Sequence, residues 1–187
     1  MNPTSIQEKL KRNKPAAYLY CPYCSCELVE TQLQGSSYKA CKSQDCSFVH
    51  YQNPTPIVAI IVELEGEVIL ARNVNWPEGF YSVISGFVEK GETPLETVRR
   101  ETKEELNLDV SECNFIGHYS FEAQNQLILA YHVKAQGEIS LNEELIDYKR
   151  IPLDKLKGWD FGTGYAVHDF VRARKAKSEN NQNQTAL

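Results

Sequence analysis

Three glutamates in the middle of the chain are spaced so that their carboxylates share one face of a helix. Glu101, Glu104 and Glu105 stand at positions i, i+3 and i+4, and residues three or four apart are neighbours on a helix surface. Three carboxylates held so close repel one another and raise each other's pKa. The arrangement suits Mg²⁺ or Mn²⁺, which prefer carboxylate oxygens. The alternative is a solvated charged face, with the neighbouring arginines and lysine as partners.

Four cysteines near the start of the chain form a second candidate metal site. Cys21 and Cys24 are separated by two residues, Cys41 and Cys46 by four, and sixteen residues lie between the pairs. Thiolates in two closely spaced pairs can complete a tetrahedron around Zn²⁺. A module this short has little core, so we expect structural zinc to supply its folding energy.

Other ligand sets remain open for this cysteine module. Cys26 could replace Cys24, and His50 could replace Cys46, although both exchanges break the paired spacing. Buried free cysteines are the alternative to any metal site. Cys113, far from the others in sequence, is most simply a small core residue.

The three glutamates need a helix with defined ends, and the local sequence supplies them. Thr93 followed three residues later by Glu96 forms a capping box, and Pro94 suits the first helical position. Asn107 tolerates the left-handed conformation that commonly ends a helix. These signals predict a helix over 94–106. Its apolar stripe, which we expect to face the core, consists of Leu95, Val98, Thr102 and Leu106.

Apolar and β-branched segments around this helix predict the rest of the architecture. Apolar runs at 57–63 and 68–72, joined by a Glu-Gly-Glu turn, predict a hairpin. A loop holding Gly86 precedes the helix. Strands and helices alternate without a regular βαβ repeat, which favours an α+β class with a mixed sheet. Further strands are predicted at 80–84, 123–133, 138–141 and 149–152, and a terminal helix at 167–175.

The stretch from Gly86 to Leu108 resembles the Nudix box, the signature of the Nudix hydrolases. Two positions depart from that pattern: Thr102 stands where an aliphatic residue is usual, and Asn107 replaces a glycine. Neither departure touches an acidic position. The positions that fall in register are Gly86, Glu92, Arg100, Glu101, Glu104, Glu105 and Leu108.

The resemblance implies an α/β/α sandwich around a mixed sheet, preceded here by a small zinc ribbon. It implies that the three helical glutamates hold Mg²⁺ or Mn²⁺, joined by the backbone carbonyl of Ser85, while Glu92 and Arg100 brace the loop and helix. Glu144 fits the position of a further metal-binding glutamate better than Glu143 does, and a surface acidic turn is the alternative. The catalytic carboxylates are then Glu101, Glu104, Glu105 and Glu144. The general base is Glu104 or a carboxylate from another loop.

A zinc ribbon directly before such a domain resembles the branch that contains NADH pyrophosphatase and FAD or ADP-ribose pyrophosphatases. This implies hydrolysis of a nucleoside diphosphate derivative of the NAD(H), ADP-ribose or FAD type into two monophosphates. Residues 119–126 lack the prolines and tryptophan of the NADH-specific group. A non-catalytic nucleotide-sensing or regulatory protein is the alternative. Candidate substrate contacts are Phe80, Tyr81, Tyr165 and Ala166, although an aromatic pair in a strand also suits the core.

Composition and segment character predict four parts in this 187-residue chain. They are an N-terminal arm (1–20), the zinc ribbon (21–51), the Nudix domain (52–174) and a polar tail (175–187) that we expect to be disordered. The chain is 42% hydrophobic and 24% charged, which is typical of globular proteins.

Charge and hydropathy limit the partners. Twenty Lys and Arg residues against 25 Asp and Glu give a net charge of −5, which argues against broad nucleic-acid binding and leaves capped RNA open. No apolar run reaches the roughly 18 residues of a membrane span, and residues 1–14 lack a signal-peptide core. We therefore predict a cytoplasmic protein without a membrane partner. A homodimer is implied by the resemblance alone.

Overall fold

The computed structural model describes residues 18–185, with side chains described as far as Lys177. All but the last three residues of the predicted N-terminal arm lie outside this range. The chain divides into two compact units. Of the described residues, one unit contains those up to Pro54 together with Ala123–Asn125, and the other contains the rest.

The smaller unit is built on a three-stranded antiparallel sheet. Its strands are β1 (Leu28–Leu33), β2 (Ser36–Cys41) and β3 (Val49–His50), in the order β1-β2-β3. The β1–β2 turn places Gln34 and Gly35 at φ values of 51° and 84°. Two left-handed residues in succession are the signature of a tight hairpin turn that matches strand twist.

The larger unit contains a six-stranded mixed sheet in the order β7-β8-β4-β5-β9, with β6 also paired to β4. The central strand β4 runs parallel to β8 and antiparallel to β5 and β6. The strands are β4 (Thr55–Leu64), β5 (Glu67–Asn73), β6 (Ile84–Phe87), β7 (Asp109–Phe121), β8 (Gln126–Gln136) and β9 (Leu145–Pro152); the helices are α1 (Pro94–Leu106) and α2 (Gly164–Thr185).

Two hydrophobic cores cover the two faces of this sheet, and β4 contributes to both by alternation. Val58, Ile60 and Val62 join the core that includes Val98 and Leu106 of α1. Ile57, Ala59 and Ile61 join the core that includes Ala166, Val167 and Phe170 of α2. One helix therefore packs on each face, and the predicted α/β/α sandwich around a mixed sheet is confirmed.

Several predicted strands differ from those in the structure. The hairpin of β4 and β5 is confirmed, but the strand expected at 80–84 is β6, at Ile84–Phe87, because those residues pair with β4. The strand expected at 123–133 is β8, at Gln126–Gln136. A 3-10 turn, Glu122–Gln124, occupies its expected beginning.

Two further differences concern the segments on either side of β8. The long edge strand β7 was not predicted, because it is half exposed and carries two register irregularities instead of an apolar run. The strand expected at 138–141 is absent from the described residues. Instead Ile139 and Leu141 pack partly against the α1 core, and the Ser140 N–H donates to the Leu106 carbonyl.

The terminal helix α2 is longer than predicted. It begins at Gly164 and continues to Thr185, so the segment expected to be disordered from residue 175 is helical as far as the structure describes it. No glycine or proline interrupts the sequence after Gly164, and this polar segment contains nothing that would stop a helix. Among the described helices none is long and apolar enough to span a membrane.

Candidate active site

Helix α1 carries the acidic cluster, and its ends are set by local contacts. The Thr93 Oγ1 atom accepts a hydrogen bond from the Glu96 N–H at 3.3 Å, and the Glu96 carboxylate accepts one from the Thr93 N–H at 2.7 Å. Asn107 ends the helix at φ 59°, ψ 21°. The predicted capping box, left-handed end and bounds of 94–106 are all confirmed.

The buried side of α1 includes two of the acids. Glu101 and Glu105 are each 9% exposed and share this side with Val98, Thr102 and Leu106. The predicted apolar stripe is therefore wrong at its first position: Leu95 is 48% exposed, while Glu101 and Glu105 are turned inward. Glu104 points outward, with 57% of its side chain exposed.

Strand β6 brings the backbone of Ser85 and Gly86 close to these acids. Both residues pair with β4. A Cβ atom placed on Gly86 would lie 1.9 Å from Oε1 of Glu101. Glycine is therefore required because the Glu101 carboxylate occupies the space of a side chain.

Replacing Gly86 with alanine is expected to displace the Glu101 carboxylate and to lower, by about 10- to 100-fold, the kcat of a reaction that depends on the position of this carboxylate. The measurement is steady-state hydrolysis, with circular dichroism to check that the fold is kept. The controls are Glu101→Gln and the double variant Gly86→Ala/Glu101→Gln. If Gly86→Ala acts by displacing Glu101, the loss of kcat in the double variant is smaller than the sum of the two single losses. An unchanged rate for Gly86→Ala would contradict this role.

Arg100 and Glu92 brace the loop before α1 against the helix. The Arg100 guanidinium donates from Nε and Nη2 to the two oxygens of Glu92 at 2.6 and 3.0 Å, and from Nη2 to the Phe87 carbonyl at 3.1 Å. Glu92 also accepts a hydrogen bond from Thr97. The Arg100 guanidinium holds the pKa of Glu92 down at about 2. A bidentate arginine–carboxylate pair fixes geometry as well as charge.

The same arginine contacts the acidic cluster. Its Nη1 atom donates to Glu101 at 2.8 Å and to Glu104 at 3.1 Å. Burial raises the pKa of Glu101, and this contact partly opposes the rise. Burial, followed by repulsion from the neighbouring carboxylates, raises the pKa of Glu105 to about 8. Glu105 is therefore a carboxylate whose charge is poorly compensated by the protein itself.

A cavity of about 440 Å³ opens onto these carboxylates. Glu144, from the turn before β9, lines the cavity and repels Glu101 and Glu105 electrostatically. Glu143 is not among the lining residues. A smaller recess of about 60 Å³ shares Ser85, Glu105 and Glu144 with it. The lining of the larger cavity consists of Ile57, Ser85, Gly86, Phe87, Glu89, Arg100, Glu101, Glu104, Glu105, Gln126 and Glu144.

These residues fit a divalent cation by their chemistry. Carboxylate oxygens from two parts of the chain and the backbone at Ser85 are hard donors, which Mg²⁺ and Mn²⁺ prefer. A cation would also relieve the repulsion that raises the pKa of Glu105. The carboxylates are less tightly gathered than the cysteine sulfurs described below, and an ion would compete with Arg100 for the oxygens of Glu101 and Glu104.

None of the four residues predicted to contact substrate lines the cavity of about 440 Å³ beside the acidic cluster. The Phe80 ring packs against Trp76 and Phe161. The Tyr81 hydroxyl donates to Asp147, and Lys149 lies 4.0 Å above the Tyr81 ring. The Phe80 and Tyr81 side chains therefore contact other residues of the protein.

The other two predicted contacts lie at the start of α2. Tyr165 is 45% exposed and donates from its hydroxyl to the Asp160 carbonyl at 3.0 Å. Ala166 has no exposed surface and belongs to the core under α2. The Ala166 side chain therefore packs in the core, and a contact of this residue with substrate stays a prediction.

Phe87 was missed by the sequence reasoning. Its ring is 57% exposed and lines the cavity beside the acidic cluster. An exposed aromatic ring at a polar cavity offers a stacking surface for a planar ligand group. The signal was its position directly after Gly86, although an aromatic residue there also suits a buried strand.

The cysteine module in the smaller unit gathers its four predicted ligands. The sulfur of Cys21 lies 3.6 Å from that of Cys46, and the sulfur of Cys24 lies 3.4 Å from that of Cys41. All four sulfurs lie within 4.8 Å of one another, the only such group of three or more metal-ligating side chains among the described residues. A tetrahedral Zn²⁺ with bonds of about 2.3 Å would place them about 3.8 Å apart.

The competing ligands lie outside this group. Cys26 is not part of it; its backbone N–H instead lowers the pKa of Cys24 to about 7, which favours the thiolate. The His50 ring packs 4.5 Å from Tyr18. The sulfur arrangement is compatible with a small zinc ribbon.

Comparison with known proteins places this site in a family context. The NUDIX domain model matches residues 53–170. The chain is 30% identical over 162 residues to the NAD-capped RNA hydrolase NudC of Pseudomonas aeruginosa, covering 84% of this chain and 56% of that protein. It is 27% identical over 171 residues to the NudC of Erwinia tasmaniensis, covering 89% of this chain and 64% of that protein.

Two solved structures show the same fold. A NUDIX hydrolase from Nitrosomonas europaea superposes with a TM-score of 0.71 at 24% identity, over 87% of this chain and 93% of that one. An ADP-ribose pyrophosphatase from Streptococcus suis superposes with a TM-score of 0.53 at 18% identity, over 65% of this chain and 92% of that one. The chain spans less than two thirds of the length of the curated relatives named above. From the family model and the mixed-sheet fold it follows that the chain belongs to the Nudix family.

Proposed function

We propose that this chain is an Mg²⁺- or Mn²⁺-dependent pyrophosphatase that cleaves the diphosphate bond of a nucleoside diphosphate derivative into two monophosphates. One observation carries the proposal. Glu101, Glu104 and Glu105 from α1 and Glu144 from a separate turn line one cavity, together with Ser85. Opposing carboxylates in a cavity are costly for folding and suit metal-assisted phosphoryl chemistry.

The groups that line the cavity would have separate roles in the proposed hydrolysis. When bound, divalent ions would neutralise the diphosphate and make a water more acidic. The brace between Arg100 and Glu92 holds α1 and the preceding loop in register, so the carboxylates keep their positions. Glu104, which is exposed, and Glu144, which lies off the helix, are the candidates to accept the proton of the attacking water.

Substrates of the NAD(H), ADP-ribose and FAD type are proposed. Two of the relatives named above are called NAD-capped RNA hydrolases, which adds NAD-capped RNA to this class. All of these molecules share a diphosphate flanked by a nucleoside. The exposed Phe87 ring beside the acidic cluster suits the planar base of such a molecule.

Three accompanying proposals concern the rest of the protein. Cys21, Cys24, Cys41 and Cys46 would bind one structural Zn²⁺. We also propose that the chain forms a homodimer and that it is a cytoplasmic protein. Light scattering of the purified chain and fractionation of expressing cells test the last two.

A substrate panel tests the proposed activity. The purified chain is incubated with Mg²⁺ or Mn²⁺ and NADH, NAD⁺, ADP-ribose, FAD, diadenosine polyphosphates, nucleoside triphosphates or NAD-capped RNA, and the products are identified by mass. Two monophosphates from at least one diphosphate-linked substrate are expected, with no turnover by Glu105→Gln. Binding without turnover by the wild type would favour a nucleotide-sensing protein instead.

Phe87 supplies a prediction about substrate binding. Replacing it with alanine is expected to raise KM for a base-containing substrate by about tenfold while changing kcat little, because a stacked base is worth roughly 1–3 kcal/mol. Leu95→Ala is the matched control, because Leu95 is also exposed but does not line the cavity. Equal KM values for wild type and Phe87→Ala would contradict stacking at this ring.

A further inference from the structure

A second and larger concavity lies between the edge strand β7, strand β8 and helix α2. Its volume is about 790 Å³, and its floor includes the buried His132, whose Nε2 lies 2.8 Å from Glu63. Phe115 of β7 lines it with a ring that is 56% exposed. The acidic cavity and this groove share no lining residue. The groove is therefore separate from the candidate active site.

The groove concentrates positive charge in a chain whose net charge is −5. Residues 172–177 read Arg-Ala-Arg-Lys-Ala-Lys, four cations in six positions. Arg172, Arg174 and Lys177 of this run line the groove, joined by Lys134 from β8. The lining also contains two acids, Glu112 and Asp169. Cations thus outnumber acids by four to two along this surface.

The ion pairs in the groove are of a kind that a phosphate can displace. Lys134 and Glu112 are 3.0 Å apart and each is about half exposed. Arg172 lies 2.7 Å from Asp169 with 81% of its own side chain exposed. Exposed pairs of this kind are weak, so Lys134 and Arg172 remain available to a polyanion. Arg174 lies 4.0 Å from the largely buried Glu63.

The shape and chemistry of the groove favour RNA over a lipid surface. An exposed aromatic ring among cations is the combination that binds single-stranded nucleic acid, through base stacking and phosphate contacts. A membrane-binding helix needs a free apolar face. The apolar face of α2, with Ala166, Val167 and Phe170, is already buried in the core.

The edge strand connects the two sites. Phe121 at one end of β7 pairs with Gln126, which lines the acidic cavity, and Asn114 lines the groove. The seven residue steps from Asn114 to Phe121 span about 23 Å of extended strand. A few nucleotides of an extended RNA chain cover that distance.

We infer that the groove formed by β7, β8 and the basic run 172–177 binds the RNA chain of a substrate whose 5′ diphosphate cap lies in the acidic cavity. This rests on the proposed function. It extends that function by giving the RNA beyond the cap its own binding surface.

The test uses the full chain and two charge-reversal variants of equal net charge. Arg172→Glu/Lys177→Glu alters the groove, and Lys155→Glu/Lys157→Glu alters exposed lysines elsewhere. Binding of a fluorescent NAD-capped single-stranded RNA is measured by anisotropy over a salt series, in a Glu105→Gln background that prevents turnover. NADH hydrolysis is measured separately without that background change.

The groove variant is expected to lose about tenfold or more in RNA affinity. The slope of its log affinity against log salt concentration should be shallower than that of the wild type by about one to two. Its NADH hydrolysis should match that of the wild type, and the control variant should keep RNA affinity. Equal RNA affinity of the two variants would overturn the inference. So would a chain that binds phosphatidylserine vesicles but does not bind the RNA. Absence of hydrolysis on every dinucleotide would instead count against the proposed function, independently of the RNA result.

Discussion

Replacing Glu105 with glutamine is expected to abolish diphosphate hydrolysis and, at the same time, to stabilise the metal-free protein. The loss of activity should be at least about 1000-fold, because the proposed function places the Glu105 carboxylate among the ligands of the divalent cation. The gain in stability follows from burial. Glu105 is 9% exposed and faces Glu101 and Glu144, so its charge is unfavourable in the folded state.

The sign of the pH dependence follows from the raised pKa. The pKa of Glu105 rises from its ordinary value of 4.5 to about 8 on folding. Between these values the folded protein binds more protons than the unfolded chain, so stability falls as pH rises through the window. Near pH 8.5 the Glu105→Gln variant should be more stable by about 2–4 kcal/mol, because each pKa unit corresponds to about 1.4 kcal/mol.

Denaturant unfolding at several pH values measures this difference, with metal removed by a chelator. The wild type should lose stability as pH rises from about 4.5 to about 8 and change little above that, and Glu105→Gln should show a flatter profile. Glu122→Gln, an exposed position, is the matched control and should follow the wild type. A Glu105→Gln variant that hydrolyses at the wild-type rate, or that unfolds with the wild-type pH profile, would contradict the account.

Replacing Cys21 with serine is expected to abolish the proposed zinc binding and to unfold the smaller unit. Cys21 is 2% exposed, and its sulfur lies 3.6 Å from that of Cys46. The described part of this unit is only a three-stranded sheet. Structural zinc supplies roughly 10–16 kcal/mol in comparable small domains, and loss of one ligand forfeits much of it.

Zinc content by mass spectrometry and protease digestion measure this effect. We expect about one zinc per wild-type chain and almost none in Cys21→Ser, with cleavage confined to the smaller unit. Of the residues that the structure describes, none before Ile57 belongs to the two cores of the larger unit. Cys26→Ser is the matched control, since Cys26 lies outside the four-sulfur group. Equal zinc content in Cys21→Ser and wild type would exclude this site.

Local signals predicted the parts of the fold that depend on local contacts. The ends of α1 were correct because Thr93, Glu96 and Asn107 determine them within one turn. The apolar stripe failed at Leu95 because a helical wheel contains no information about where the neighbouring sheet lies. Strand β7 was missed because it is a half-exposed edge strand with an irregular register.

In the candidate site, too, the sequence predicted the residues that short-range spacing determines and missed those that depend on long-range packing. The helical acids followed from spacing, and the cysteine ligands from paired motifs, because short-range spacing determines both. Phe87 and Ala166 depend on long-range packing. Phe87 lies on β6 beside the cavity, while Ala166 lies on the buried face of α2. The basic groove was likewise invisible in the overall charge of −5, because that total also counts the acids elsewhere in the chain and Lys134 joins the basic run 172–177 only in the folded chain.

The most direct test of the central claim is a calorimetric titration of Mn²⁺ into the metal-free chain and into the Glu105→Gln variant. The claim is that the carboxylates of α1 and Glu144 bind the catalytic divalent cation. We expect saturable Mn²⁺ binding by the wild type, weakened by at least about tenfold in Glu105→Gln. Equal Mn²⁺ affinity in the two proteins, or no binding by the wild type, would contradict it.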